Sequence, residues 1–399
     1  MNQGNKKVMV AGHLCLDIAP KIPHTLVGSF YDVFVPGKLV HVEDPVLCTG
    51  GAVSNVGLAM AGLGLDVLLN GKVGSDGFGT IIKQLIGRQH ASAVKTVTDQ
   101  CSSYTIILAL PGVDRIFLHS PGTNDTFGSD DVDYESAKDC VLFHLGYPPL
   151  MKRFFEDDGE QLLLIYKKIK QLGVTTCMDM ALPDPASPAG RANWQRIIKR
   201  VLPYVDLFMP SIEEIAYMLD RDLFEKRKAE AAGRDAVLFY QPQDYTKISE
   251  QLLQMGSAVV ALKSGIRGYY LRTGSQAKLA SIGRAVPAEP DKWADREIWA
   301  ASFKTEQFGS ATGSGDATIA GFLTAFIRGY CPEESLRIAN AVGWQNVQAL
   351  DALSGIRDWQ TTVDFVRDMS RPRNEFTLDS RAWRYCPASQ VYYGPGDKC

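Results

Sequence analysis

Two rhythms of apolar and polar positions alternate along this chain. Short apolar runs at Asp66–Leu69, Cys140–Leu145, Val174–Met178, Leu207–Met209, Ala258–Lys263 and Tyr269–Arg272 predict buried strands. Between them, helical spacing recurs at Gly50–Gly62, Phe78–Arg88, Gln161–Leu172, Ser211–Leu219, Ile248–Met255, Ala317–Arg328 and Glu333–Val347. Such alternation predicts an α/β fold, a mostly parallel sheet covered by helices on both faces, with ligands at the carboxyl ends of the strands. The run Lys7–Ile18 predicts one more buried strand. Ser102–Leu110, a Pro-Gly-Val-Asp turn and Arg115–His119 predict a hairpin, and Phe30–Val42 is expected to add strands to it. Segments 26–48 and 101–120 are therefore expected to form a small β-sheet apart from the main body. The charged stretch Asp222–Asp244 reads as a solvated helix plus loop, and 285–308 as an insertion. The tail 369–399 carries Trp383, Tyr385, Tyr392 and Tyr393, too many aromatics for disorder, and is expected to pack on a single domain spanning 1–399.

Composition narrows the function classes. The 399 residues are 45% hydrophobic and 22% charged, with a formal net charge of −3, so bulk electrostatics favours neither nucleic acid nor an anionic membrane. Eight cysteines without a C-x-x-C pair, and no histidine at ligand spacing, argue against a zinc site and a disulfide scaffold. Reduced thiols and the lack of a long apolar run lead us to expect a cytoplasmic protein with neither a signal peptide nor a membrane span.

Candidate chemistry concentrates in Gly309-Ser310-Ala311-Thr312-Gly313-Ser314-Gly315-Asp316, which opens an apolar helix. A small-residue loop at a helix start aims backbone N–H groups at the positive end of the dipole, where phosphate binds. Asp316 would repel that guest, so its natural task is to accept a proton from a hydroxyl attacking phosphorus. Capping alone also explains such a loop. A second cluster, Gly50-Gly51-Ala52-Val53-Ser54-Asn55, lets backbone approach a ligand closely and sets an amide one turn into the next helix. By itself it reads as a close-packed helix start.

Together the two clusters resemble the N- and C-terminal signatures of the ribokinase-like (PfkB) family of sugar and nucleoside kinases. Gly71–Gly79 resembles that family's Val-Gly-x-Asp-x-x-Gly segment, Gly12–Asp17 its substrate-binding strand, and Gly122-Thr123-Asn124 the Gly-Ala-Asn after its lid hairpin. Pro210–Glu214 stands where the family has Asn-x-x-Glu, and Lys263–Gly268 resembles its nucleotide-side turn. The likeness runs in order from about residue 7 to 350. It implies a three-layer α/β/α kinase with a β-sheet lid from 18–48 and 101–125, using ATP and Mg²⁺ on a small-molecule sugar, and pairing as a homodimer through the lid. Asp316 would be the base, and Gly313, Ser314 and Gly315 the anion hole. Asp17, Gly50, Gly51, Asn55 and Asn124 would hold the acceptor. Ser211, Lys263, Gly265, Gly268 and Asn340 would face the nucleotide, and Glu214 would order water around Mg²⁺. Two positions depart from the family: Ser310 replaces the first acid of Asp-Thr-Thr-Gly, which puts activation by a monovalent cation in doubt, and Ser211 replaces the Asn. A catalytically weak sugar- or nucleoside-binding protein and a nucleoside kinase stay open as alternatives. A dinucleotide oxidoreductase does not, since no G-x-G-x-x-G follows the first strand. His13 and Cys15 read as pocket wall, and the absence of a basic cluster, Lys38 and Arg115 aside, points to a neutral acceptor.

Overall fold

The apolar runs assemble side by side because each is buried on both faces. In the computed structural model, which describes residues 6–23, 28–110, 116–376, 378–379 and 381–398, the strands run in chain order from β1 (Lys7–Gly12), β2 (Cys15–Lys21), β3 (Glu43–Gly50) and β4 (Asp66–Asn70) to β5 (Lys72–Gly74), β6 (Lys95–Val97), β7 (Tyr104–Leu108) and β8 (Ile116–Ser120). β9 (Leu142–Gly146), β10 (Thr175–Met178), β11 (Leu207–Phe208), β12 (Val259–Lys263), β13 (Tyr269–Thr273), β14 (Glu297–Ala300), β15 (Arg384–Cys386) and β16 (Val391–Tyr393) follow. A ten-stranded sheet orders them β15-β16-β14-β13-β12-β11-β10-β9-β1-β4. The six from β12 to β4 are parallel, and β13, β14, β16 and β15 continue antiparallel. Two apolar clusters sandwich this sheet. One gathers Val8, Val10, Leu207, Phe322 and Leu336, the other Met9, Phe143, Phe208, Tyr245 and Trp299.

The run Lys7–Ile18 is two strands, not one. Gly12 sits at φ +117°, a conformation that a Cβ opposes, and the chain turns there out of the main sheet. β2 then pairs with β3 and β7, and β7 with β8, giving a separate four-stranded sheet in the order β3-β2-β7-β8. Phe30–Val42 supplies no strand to it. Phe30–Val33 is a short helix whose Ser29 and Asp32 cap one another, and the strand comes later, at β3. Arg115 lies outside the described residues.

The stretch 285–308, expected as an insertion, supplies β14, paired between β13 and β16. Trp299 of β14 is fully buried against Tyr245, Tyr270 and Trp383. The tail adds β16 and β15 at that edge, and Trp383 covers the sheet at 5% exposure. Asp222–Asp244 holds a helix, Arg221–Ala231, whose Arg227 is buried between Glu230 and Asp244.

Candidate active site

Parallel strands bring their carboxyl ends to one rim, and the charged residues of this chain collect there. β1 delivers His13, β9 delivers Tyr147, β10 delivers Asp179, β11 leads to Ser211, and β12 ends on Lys263. The helices Ala52–Gly62 and Ser314–Arg328 start at the same rim and pack closely on each other.

On the acceptor side, Cys15 of β2 pairs with Gly50 of β3, and Asp17 with Cys48. This register lays the Asp17 carboxylate over Gly50, where a Cβ would stand 2.2 Å from Asp17 Oδ2. Gly51, at φ +90°, would drive a Cβ to 2.5 Å from the His13 carbonyl. Both glycines thus keep space clear. Burial raises the Asp17 carboxyl above its usual range. His13 is 3% exposed, and burial, with His119 beside it, holds its ring neutral with a pKa of about 3. The Nε2 atoms of His13 and His119 lie 3.4 Å apart, and His119 Nδ1 is 3.0 Å from the Thr105 hydroxyl, so the four-stranded sheet reaches His13 through that pair.

Asp316 sits in the first turn of Ser314–Arg328 and is 2% exposed. Its Oδ2 accepts from Asn55 Nδ2 at 2.9 Å, and the Tyr147 hydroxyl donates to Oδ1 at 2.8 Å and Oδ2 at 2.7 Å. A carboxylate only accepts, so the Asn55 nitrogen must be the atom facing it. Asn55 Oδ1 then points elsewhere, buried and without a partner, as is His13 Nδ1. Burial pushes the Asp316 carboxyl up, while Tyr147, Asn55 and the Lys263 charge pull it back.

On the other side, Lys263 stands among acids. Its Nζ is 3.8 Å from Glu214 Oε2, and its side chain runs alongside Gly315. Burial disfavours the ammonium, but the charges of Glu214, Asp179 and Asp316 outweigh that and raise Lys263. Asp179 is fully buried, with Oδ1 accepting from Tyr147 N–H at 3.3 Å and Oδ2 unpartnered. Burial raises its carboxyl strongly. Ser211 and Glu214 cap their helix reciprocally, Glu214 N–H to Ser211 Oγ at 3.1 Å and Ser211 N–H to Glu214 Oε2 at 2.7 Å. Gly268, at φ +89°, approaches the Ala300 carbonyl, and Gly265, at φ +50°, stands beside Val237 and Asp235, which a Cβ would meet at 3.7 and 3.8 Å.

Several residues singled out from sequence take other work here. The Asn124 amide exchanges hydrogen bonds with the Leu14 backbone at 3.1 and 3.2 Å and is wholly buried, so it fixes the β1–β2 turn rather than meeting the acceptor. The Asn340 amide donates to the Ala300 and Ala301 carbonyls, which ties its helix to β14 instead of offering it to a base. Of the anion loop, Ser314 N–H already donates to the Ala311 carbonyl at 3.2 Å, and Gly313 takes the left-handed conformation at φ +74°. Tyr147, Asp179 and His119 carry no sequence signal of their own. They become visible only once strand ends share a rim.

Deep carboxylates, one lysine and a helix start at a parallel-sheet rim suit a phosphotransferase that acts on an alcohol. The chain belongs to the pfkB family carbohydrate kinases, whose model matches residues 5–359. It is 25% identical over 300 residues to an uncharacterized sugar kinase of Archaeoglobus fulgidus, covering 75% of this chain and 98% of that one. It is 22% identical over 323 residues to the 2-dehydro-3-deoxygluconokinase of Bacillus subtilis, covering 79% and 86%. Among solved structures, Arabidopsis thaliana ribokinase complexed with ribose and ATP superposes at TM-score 0.68 and 17% identity, covering 91% of this chain and 99% of that one. A fructokinase of Xylella fastidiosa with bound ATP gives TM-score 0.66 at 18% identity, covering 92% and 100%. The fold is ribokinase-like.

Proposed function

We propose that this protein transfers the γ-phosphoryl group of ATP to a hydroxyl of a neutral sugar, with Asp316 as general base. The observation that carries the reading is the Asn55–Asp316 pair. It sets a buried carboxylate beside an orphaned carbonyl oxygen, Asn55 Oδ1, which an acceptor hydroxyl would satisfy as donor. Asp17 accepts further hydroxyls, and neutral His13 and His119 offer nitrogen lone pairs or N–H groups. None of these acceptor-side groups is cationic, so they suit a polyol better than a sugar phosphate or a sugar acid.

The nucleotide phosphates would lie between Lys263 and the first-turn N–H groups of Gly315 and Asp316. Ser314 N–H becomes available only if the Ala311 turn opens. Gly265 and Gly268 line the far end, and the Ser211–Glu214 cap faces the phosphates from the β11 side. No group of three or more His, Cys, Asp or Glu that could hold a metal occurs among the described residues. The excess of carboxylates over Lys263, with Asp179 Oδ2 unpartnered, nevertheless fits a divalent cation arriving on the nucleotide, held through Glu214 and Asp179. Mg²⁺ so bound would neutralise charge on the phosphates. The lid excludes water that would otherwise hydrolyse ATP. Its exposed Leu47 and Leu118, set on one face with Ile18 and Ile106 by the strand register, provide the apolar face for pairing with a second lid in a homodimer, which light scattering measures.

An ADP-release screen with Mg·ATP against neutral sugars, sugar acids, sugar phosphates and nucleosides tests the reading, run with and without potassium because of Ser310. Turnover of a neutral sugar, lost in Asp316→Asn, is the expected result. Turnover confined to an acid or a nucleoside refutes the acceptor class. Sugar binding without turnover would make this a sugar-binding protein.

A further inference from the structure

Tyr147 occupies the left-handed region at φ 62° and ψ 45°. A bulky residue keeps such a backbone only where its surroundings hold it, and strain of this kind gathers at functional sites. Three contacts hold it here. Its N–H donates to Asp179 Oδ1 at 3.3 Å, its carbonyl accepts from Leu150 N–H at 3.0 Å, and its hydroxyl bridges both oxygens of Asp316. The two oxygens are not equivalent. Oδ2 accepts from Asn55 and from Tyr147, whereas Oδ1 accepts from Tyr147 alone.

We propose that Tyr147 is a positioning residue for the base: with the Asn55 amide it pins Asp316 as a carboxylate and leaves Oδ1 to take the acceptor's proton. The inference rests on Asp316 being the base. As the acceptor oxygen bonds to the γ-phosphorus, its proton passes to Oδ1. The bond from that phosphorus to its bridging oxygen breaks, and the electron pair leaves with the diphosphate. Tyr147 keeps its own proton throughout, since burial and the neighbouring Asp316 charge raise its pKa well above the phenol range. A donor to a carboxylate stabilises the charged form, so Tyr147 counters the burial that drives Asp316 toward protonation. The other titratable groups that feel Asp316 are Lys263, Asp179 and Glu214.

Tyr147→Phe keeps the ring and removes the donor. The pH profile of kcat/KM for the acceptor found in the screen is measured in both proteins. Loss of one charge-assisted hydrogen bond predicts that the variant falls about tenfold below wild type on the acid side of the limb. On the alkaline plateau, where the base is ionised either way, the two should agree to within about threefold. A purely structural tyrosine would depress both regions alike and leave the limb where it was, which overturns the proposal. If no acceptor turns over, the kinase reading has failed independently. The titration is then read by ¹³C NMR of aspartate carboxyls in the ligand-free protein, with Asp316→Asn assigning the resonance. An upward shift in Tyr147→Phe supports the proposal, and an unchanged titration overturns it. Should Tyr147→Phe not fold, 3-fluorotyrosine at position 147 strengthens the donor and must move the same titration downward, and no movement refutes the role.

Discussion

Replacing Asp316 in two ways separates its chemistry from its architecture. Asp316→Asn keeps the shape and one acceptor oxygen, which can take the place of Oδ2 and serve both Asn55 and Tyr147. The new amide nitrogen then faces the Tyr147 oxygen, which can accept from it. The buried charge is gone as well, and burial had been raising that carboxyl against ionisation. A folded-state pKa above the unfolded one means that the ionised Asp316 costs stability at neutral pH, so the neutral isostere should lose none. Asp316→Ala instead strands two donors. An orphaned buried donor costs about 1–3 kcal/mol, less for Tyr147, whose side chain is only partly buried. The sum is about 2–4 kcal/mol. With an unfolding entropy near 0.8 kcal/mol/K for 399 residues, this lowers Tm by roughly 2–5 °C. Turnover should fall roughly 10²–10⁴-fold in both variants, as for a lost general base. Calorimetry and ADP release on the pair give the answer. Near-normal turnover in Asp316→Asn would refute the base, and equal melting of the two variants would refute the hydrogen-bond cluster.

Asp17→Ala should raise acceptor KM about tenfold or more while leaving nucleotide KM unchanged, the mark of a lost charge-assisted hydrogen bond on one substrate only. Gly50→Ala should mimic it, because the new Cβ lands 2.2 Å from Asp17 Oδ2, and steady-state kinetics on both substrates tests the pair. With Asp316 as the proposed base, working ionised, and burial raising its pKa, kcat/KM should fall as pH drops through a limb above the usual carboxylate range. His13, with a pKa of about 3, contributes nothing to that limb, so His13→Asn should leave its position unmoved. Trp383→Ala opens the tail's cover over Trp299 and Tyr270, a loss of about 3–5 kcal/mol that calorimetry should read as a lowered Tm with KM values unchanged.

The sequence makes the sheet legible because a parallel strand buried on both faces must be apolar throughout, and those runs stand between helical spacings. It misleads where local pattern and tertiary role part. Lys7–Ile18 is mostly apolar, broken only by His13 and Asp17 after its first lysine, yet Gly12 redirects it, and only pairing partners reveal that one half belongs to another sheet. Trp299 and the charges near it read as an insertion because β14 is four residues long and flanked by polar turns. The glycine clusters mark close approach, since a Cβ at Gly50 or Gly51 would strike Asp17 or His13, and that leaves a compositional trace. Asp179 and Tyr147 leave none, as a single acid or tyrosine after a strand is ordinary until neighbouring strands bring it to Asp316. Asn124 and Asn340 show the converse. A Gly-x-Asn turn or a helix asparagine looks available for a ligand, and only the Leu14 backbone and the Ala300 carbonyl, remote in sequence, show the Asn124 amide and the Asn340 nitrogen already engaged.

Lys263 is the one cation among Asp179, Glu214 and Asp316, and its charge lowers all three against the burial that raises them. Among the described residues the nearest carboxylate oxygen, Glu214 Oε2, lies at 3.8 Å, beyond hydrogen-bond range, so Lys263 acts by field rather than by a fixed pair. Such a lysine is free to turn to a phosphate while still holding its neighbours ionised. Lys263→Met keeps the stem beside Gly315 and removes the charge. Two effects should then appear together. Nucleotide KM should rise because a phosphate contact is gone, and the acid limb of kcat/KM should move to higher pH because the base has lost the field that opposed protonation. A raised KM with an unmoved limb would mean that Lys263 serves the phosphate alone and that Tyr147 and Asn55 suffice to keep Asp316 charged.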